Sequence, residues 1–135
     1  MSPKERVEAY YADLLDGDAE RVAAHFTPDA VHYYTRRDPD IGSEVIGANA
    51  ALAVEHLHAE WRLEHIVANE TEAVIEWSLA FDDPCDTSRR LLDRGAELFT
   101  FRDGLIAEVR AYYGDRGGDL RGFDHAARGH AVLPS

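Results

Sequence analysis

From about Trp61 onward the helical spacing of apolar residues gives way to four successive β runs, WRLEHIVAN, TEAVIEWSLAFDD, RGAELFTFRDG and LIAEVRAYYGD. They are separated by Asn69-Glu70, by the loop DDPCDTSRR and by Arg102-Asp103-Gly104. Asp-Gly between two such runs is a strong hairpin signal, because both residues tolerate the positive φ a tight turn needs. Four consecutive strands with short connections make a meander, and a meander with one apolar face needs a covering layer. On TEAVIEWSLAFDD that face carries Ile75, Trp77, Leu79 and Phe81, with Glu76, Ser78 and Asp82 opposite.

The cover comes from the first half. Val7, Tyr10, Tyr11, Leu14 and Leu15 recur at helical spacing behind Pro3 and predict a helix ending near Asp16-Gly17. Asp18 is placed to cap a shorter helix with Ala19, Val22, Ala23 and Phe26 on its apolar side, stopped by Pro28. Residues 30–35, AVHYYT, read as a strand, and TRRDPDIGSE as a polar loop. A third helix is expected from about Ile46 to Glu60, capped by Ser43 or a neighbour. The fold class is therefore α+β, with three N-terminal helices packed on a strongly curved, mostly antiparallel sheet. Such a cone encloses a cavity suited to a small molecule. The expected organisation is one domain over 1–135, with a core of about 5–115. The tail 116–135 is expected to form a loop with one helical turn at FDHAAR that could serve as a lid, with Phe123 and His125 able to reach the mouth.

Charge narrows the partners. The 135 residues hold 14 Lys+Arg against 26 Asp+Glu, a net charge of −12, and the only lysine is Lys4. Polyanion binding rests on clustered cations displacing counterions, so neither nucleic acid nor a membrane surface is expected. The single Cys85 excludes an internal disulfide and suits a reducing cytoplasm. His56 and His58, two apart on a helix, point to nearly opposite faces, unlike the i, i+4 pair of a zinc helix. No metal is expected, and no phosphate-cradling glycine loop or dinucleotide fingerprint calls for an organic cofactor.

The stretch EAYYADLLDGDAERVAAHFTPDAVHYY resembles the opening of the nuclear transport factor 2-like superfamily, in particular its SnoaL-like and ketosteroid isomerase-like members. RGAELFTFRDGLIAEVRAYYGD resembles the family's final hairpin, an aromatic strand, Asp-Gly, and a strand ending in paired aromatics. The resemblance covers about Arg6 to Asp115 and implies the cone-shaped α+β barrel, called cystatin-like or nuclear transport factor 2-like. The function it implies is broad, since the family includes isomerases, cyclases, dehydratases, epoxide hydrolases and non-catalytic binders. It places Tyr10 where isomerase-like members hold a tyrosine that stabilises an oxyanion, and Glu97 where they hold a protonated carboxyl for the same task. Tyr34 stands where they carry the general-base aspartate, so that base is missing. The family's frequent dimerisation through the convex sheet face implies a homodimer.

The residues themselves support the same constellation. The alternation on RGAELFTFRDG is ambiguous, but Phe99 and Phe101 favour an inward Glu97 among Trp77, Phe99 and Tyr113, where burial would favour a carboxyl able to donate or accept a proton. The alternative is an ion pair with Arg94 or Arg110. His32, beside Tyr34 on one strand face, is the candidate general base, and Tyr10 on the inner face of the first helix could reach Glu97 or a ligand carbonyl. Substrate contacts are expected from Asp13, Leu14, Trp61, Trp77, Leu79, Phe81, Phe99 and Tyr113. The expected function is cofactor-independent acid–base chemistry, an isomerisation, cyclisation or dehydration of a small, mostly apolar carbonyl compound. The alternatives are a small-molecule-binding or interaction module, and epoxide hydrolase-like hydrolysis, which needs an inward Asp/Arg set that the periodicity does not place.

Overall fold

In a computed structural model that describes residues 1–114, the chain runs α1 (Pro3–Leu14), α2 (Ala19–Ala23), β1 (Phe26–Tyr33), β2 (Asp40–Ile41), α3 (Ser43–Leu57), β3 (Glu60–Ala68), β4 (Glu72–Asp83), β5 (Asp86–Arg102) and β6 (Leu105–Tyr113). The expectations placed on the tail 116–135 lie outside the described residues.

Local chemistry accounts for the helix starts. Ser2 and Glu5 form a capping box, with Ser2 Oγ accepting from the Glu5 amide at 3.2 Å and Glu5 Oε1 accepting from the Ser2 amide at 3.1 Å. Asp18 accepts from the Glu20 and Arg21 amides, so α2 begins where its cap predicts. That helix stops at Ala23, earlier than expected, and Phe26 and Pro28 belong to β1. Pro28 falls in the irregular stretch of β1 between Phe26 and Val31, where the pairing with β6 skips residues, a place where a strand tolerates a residue without an amide proton. α3 begins at Ser43 after Gly42, with no side-chain cap, and closes on His58 in the left-handed conformation.

The six strands form one sheet in the order β2-β1-β6-β5-β4-β3. Every pairing is antiparallel except β1 with β6, which is parallel, an arrangement that needs a long connection such as the one through α3 and the intervening strands. The β5–β6 turn has Asp103 at φ 53° and Gly104 at φ 79°, the double positive φ expected of Asp-Gly. The predicted loop DDPCDTSRR contracts to a turn at Pro84-Cys85, since β4 and β5 continue to pair out to Asp83 and Asp86. Irregularities between Leu63 and His65 and between Thr100 and Phe101 let residues at broken spacing share one face and bend the sheet. Thus Trp61, Leu63 and Ile66 all pack toward the core, as do Ile106 and Val109.

α1 packs across β3 and β4, and α2 lies against α3. Val7, Ile75, Phe99, Ile106 and Val109 are essentially inaccessible and make the floor of the cone. A Cβ on Gly47 would sit 2.3 Å from the Ala19 carbonyl oxygen, so the α2–α3 approach requires glycine there.

Candidate active site

Between the helices and the concave face lies a cavity of about 290 Å³. It is at the small end of ligand pockets, which run to roughly 300–1,000 Å³, so it suits a molecule of a ring or two. Trp61, Trp77, Leu79, Phe81 and Tyr113 from the sheet and Leu14 from α1 contribute wall. Gly95 shapes the wall. A Cβ there would meet the Tyr112 carbonyl oxygen at 2.4 Å and Trp77 Cζ2 at 2.8 Å, so the bare backbone lets the indole lie close to the sheet.

At the inner end stands Glu97, buried at 5% exposure. It pairs with Ile75 on one side and Ala111 on the other, which fixes its side chain on the concave face. The Tyr11 hydroxyl donates to Glu97 Oε1 at 2.6 Å, and His32 Nε2 faces Oε2 at 3.4 Å. Arg94 and Arg110, the partners of the alternative reading, lie on the outer face with Glu64 and Glu76 and with Glu108. Among the described residues no arginine reaches Glu97. A buried carboxylate is costly unless hydrogen-bonded, and Tyr11 supplies that bond.

His32 is equally buried, its ring stacked on Tyr34 at 4.3 Å and 14°. With Nε2 against a carboxylate, the tautomer carrying its proton on Nε2 is favoured, which leaves Nδ1 with a lone pair. Tyr34 in turn donates to Asp40 Oδ2 at 2.9 Å. Asp40 also accepts two bonds from Arg37 and one from Asn49. Burial works to raise the Asp40 carboxyl, but the bonds from Arg37 and Tyr34 outweigh it and hold the group below the usual carboxylate range. Arg37 lies over the Tyr34 ring at 3.6 Å, and Arg36, bonded to Asp93 at 3.3 Å, lies over Tyr113 at 4.6 Å. Burial first, and the Glu97 charge second, push the Tyr10 and Tyr11 phenols well above their ordinary range, so both stay protonated donors.

Three placements depart from the sequence reading. Tyr10 lines the cavity, but Tyr11 makes the bond to Glu97, while the Tyr10 ring packs edge-on against Tyr11 and Phe26. Helical spacing put both tyrosines on the buried face and could not say which hydroxyl reaches the sheet. Asp13 lies outside the cavity wall, because its carboxylate turns to His25 Nε2 at 2.7 Å. Phe99 is fully buried beneath the cavity and forms floor, not wall. Arg36, Arg37 and Asp93 also line the cavity, so an inward Asp/Arg set exists where periodicity gave none. Arg36 and Arg37 come from the loop TRRDPDIGSE, and loop side chains carry no period to read.

Comparison with known proteins agrees with this architecture. The model of the SnoaL-like domain family matches residues 7–109. A crystal structure of a protein of unknown function with a cystatin-like fold from Methylobium petroleophilum PM1 superposes with a TM-score of 0.73 at 30% identity, covering 97% of this chain and 91% of that one. A candidate polyketide cyclase from Pseudomonas putida KT2440 gives 0.68 at 24% identity, covering 84% and 92%. SalBIII, an epoxide hydrolase/cyclase-like enzyme of pyran ring formation in the polyether salinomycin, gives 0.70 at 20% identity, covering 83% and 90%. No curated protein matches. With the family model spanning most of the chain and the concave cavity, curved sheet and helical cover all in place, the chain belongs to the SnoaL-like family.

Proposed function

We propose that this protein is an acid–base enzyme that isomerises, cyclises or dehydrates a small, mostly apolar carbonyl compound. The observation that supports the reading is a carboxylate, Glu97, held inside a mostly apolar cavity by Tyr11, facing His32, and remote from the arginines of the outer face. His32 takes a proton from the carbon beside the carbonyl through Nδ1. Glu97 orients the ring and stabilises the imidazolium as it forms, the part a buried carboxylate plays behind a catalytic histidine. Tyr34 fixes the ring plane by stacking, and the aromatic wall excludes water and strengthens each charge interaction. Returning the proton to another carbon gives the isomer.

A second reading, hydration or hydrolysis in the manner the name SalBIII suggests, draws on the Arg36–Asp93 pair in the cavity wall. One pair of variants separates the readings. On a substrate found by screening enolisable carbonyl compounds, the combined change His32→Ala and Glu97→Gln should reduce turnover at least about a hundredfold, the scale of general acid–base catalysis. Unchanged turnover refutes the proposal. Loss on Asp93→Asn alone, with His32 dispensable, favours hydrolysis, and a ligand recovered unchanged after long incubation favours a binding module. The homodimer is a further part of this proposal, supported by exposed Tyr33, Val74 and Tyr112 on the outer face. Sedimentation of a monomer at micromolar concentration would remove it.

A further inference from the structure

Two polar atoms of cavity-lining residues make no hydrogen bond among the described residues, the indole Nε1 of Trp77 and Nδ1 of His32. Both residues are 5% exposed. Buried polar groups nearly always have partners, and a buried tryptophan in particular finds an acceptor for its N–H. The indole is not free to turn toward one. Its Cζ2 edge rests over Gly95, and Tyr113 meets it edge-on at 5.8 Å and 67°.

The two atoms are chemically complementary. An indole N–H can only donate, whereas His32 Nδ1, with Nε2 turned to Glu97, accepts. Two of the cavity's phenols are already committed, since the single O–H of Tyr11 goes to Glu97 and that of Tyr34 to Asp40. Neither atom is accessible to water as the rings stand, so a molecule that satisfied both would press into the wall, presenting an oxygen to Trp77 and an acidic hydrogen to His32.

We propose that the Trp77 indole N–H is the donor to the substrate's carbonyl oxygen, and that the substrate is a ketone or ester whose oxygen and adjacent C–H reach Trp77 and His32 together. The proposal rests on the acid–base reading and names the group that receives the charge. As the C–H proton passes to His32 Nδ1, the bonding pair becomes the enolate C=C and the carbonyl π pair moves onto oxygen. The indole N–H then bonds an anion where it had bonded a neutral carbonyl, and that strengthening is what lowers the barrier. No oxidant or reductant enters.

The test uses 2-naphthol, a planar enol mimic with one oxygen, and naphthalene, the same shape without it. Protein labelled with 15N at the indoles shows one N–H signal for each of its two tryptophans, assigned through Trp61→Phe. The expected result is a downfield shift of the Trp77 indole proton with 2-naphthol and none with naphthalene. Trp77→Phe, which keeps a ring and removes the N–H, should weaken 2-naphthol at least tenfold and naphthalene less than threefold. Equal shifts from both probes, or equal weakening, would overturn the donor role while leaving the acid–base reading standing. Failure of both probes to bind the wild-type chain would overturn the two together. The wild-type spectrum decides the matter even where the variant folds poorly.

Discussion

Tyr10 and Tyr11 are adjacent on one helix and both are 5% exposed or less, yet only Tyr11 is predicted to be costly to strip of its hydroxyl. Its bond to Glu97 is 2.6 Å long, joins two buried side chains and ends on a carboxylate. Hydrogen bonds to charged groups contribute about 1.5–3 kcal/mol, and Tyr11→Phe leaves the carboxylate oxygen buried and short of its donor, so the loss falls in that range. For a domain of this size that corresponds to a melting temperature lower by about 5–12 °C. Tyr10 makes no side-chain hydrogen bond to the described residues, and its ring contacts survive in Phe, so Tyr10→Phe should cost under about 1 kcal/mol. Thermal unfolding of the two variants in parallel at pH 7 reads the difference. A Tyr10→Phe protein destabilised as much as Tyr11→Phe, or more, would refute the assignment of the donor and with it the geometry around Glu97.

Other perturbations test other parts of the account. Asp40→Asn removes the charge that Arg37, Tyr34 and Asn49 converge on and should cost about 2 kcal/mol at pH 7, since one partner is half-exposed. Because the folded-state carboxyl is held below its unfolded value of about 3.9, the stability it gives is complete above that value and fades as the pH falls through the folded one. Urea unfolding of wild type and variant should therefore converge below about pH 4, and a gap that stayed constant would contradict the depressed carboxyl. Gly95→Ala should destabilise by about 1–3 kcal/mol or more, because the new methyl meets the Tyr112 carbonyl oxygen at 2.4 Å and backbone cannot step aside. A neutral effect in denaturant titration would mean the indole does not pack over the sheet as described.

What was legible in the sequence follows the physics of repetition. Period-2 alternation put Ile75, Trp77, Leu79 and Phe81 on the concave face, and Asp103-Gly104 announced its turn, because each is fixed by neighbours in the chain. The direction of Glu97 was open, because both faces of its strand carry apolar residues. Pairing between Ile75 and Ala111 decides it, and pairing is long-range information. The Tyr34–Asp40–Arg37 cluster was not legible at all, since it is built on a polar loop and a two-residue strand. Asp13 shows the opposite failure. Its position near the cavity was a fair inference from helical spacing, but His25, twelve residues on, captures the carboxylate through a contact that no local pattern encodes.

The central claim, that His32 backed by Glu97 removes a proton from carbon, is tested most directly by following deuterium uptake beside the carbonyl of 2-tetralone by proton NMR in D2O. This small bicyclic ketone enolises toward a 2-naphthol-like shape and needs no knowledge of the natural substrate. The account predicts exchange accelerated by the wild-type protein and reduced at least about a hundredfold in His32→Ala protein that retains its melting transition. Exchange at the buffer rate with the ketone bound in the cavity, or exchange undiminished without His32, would contradict it.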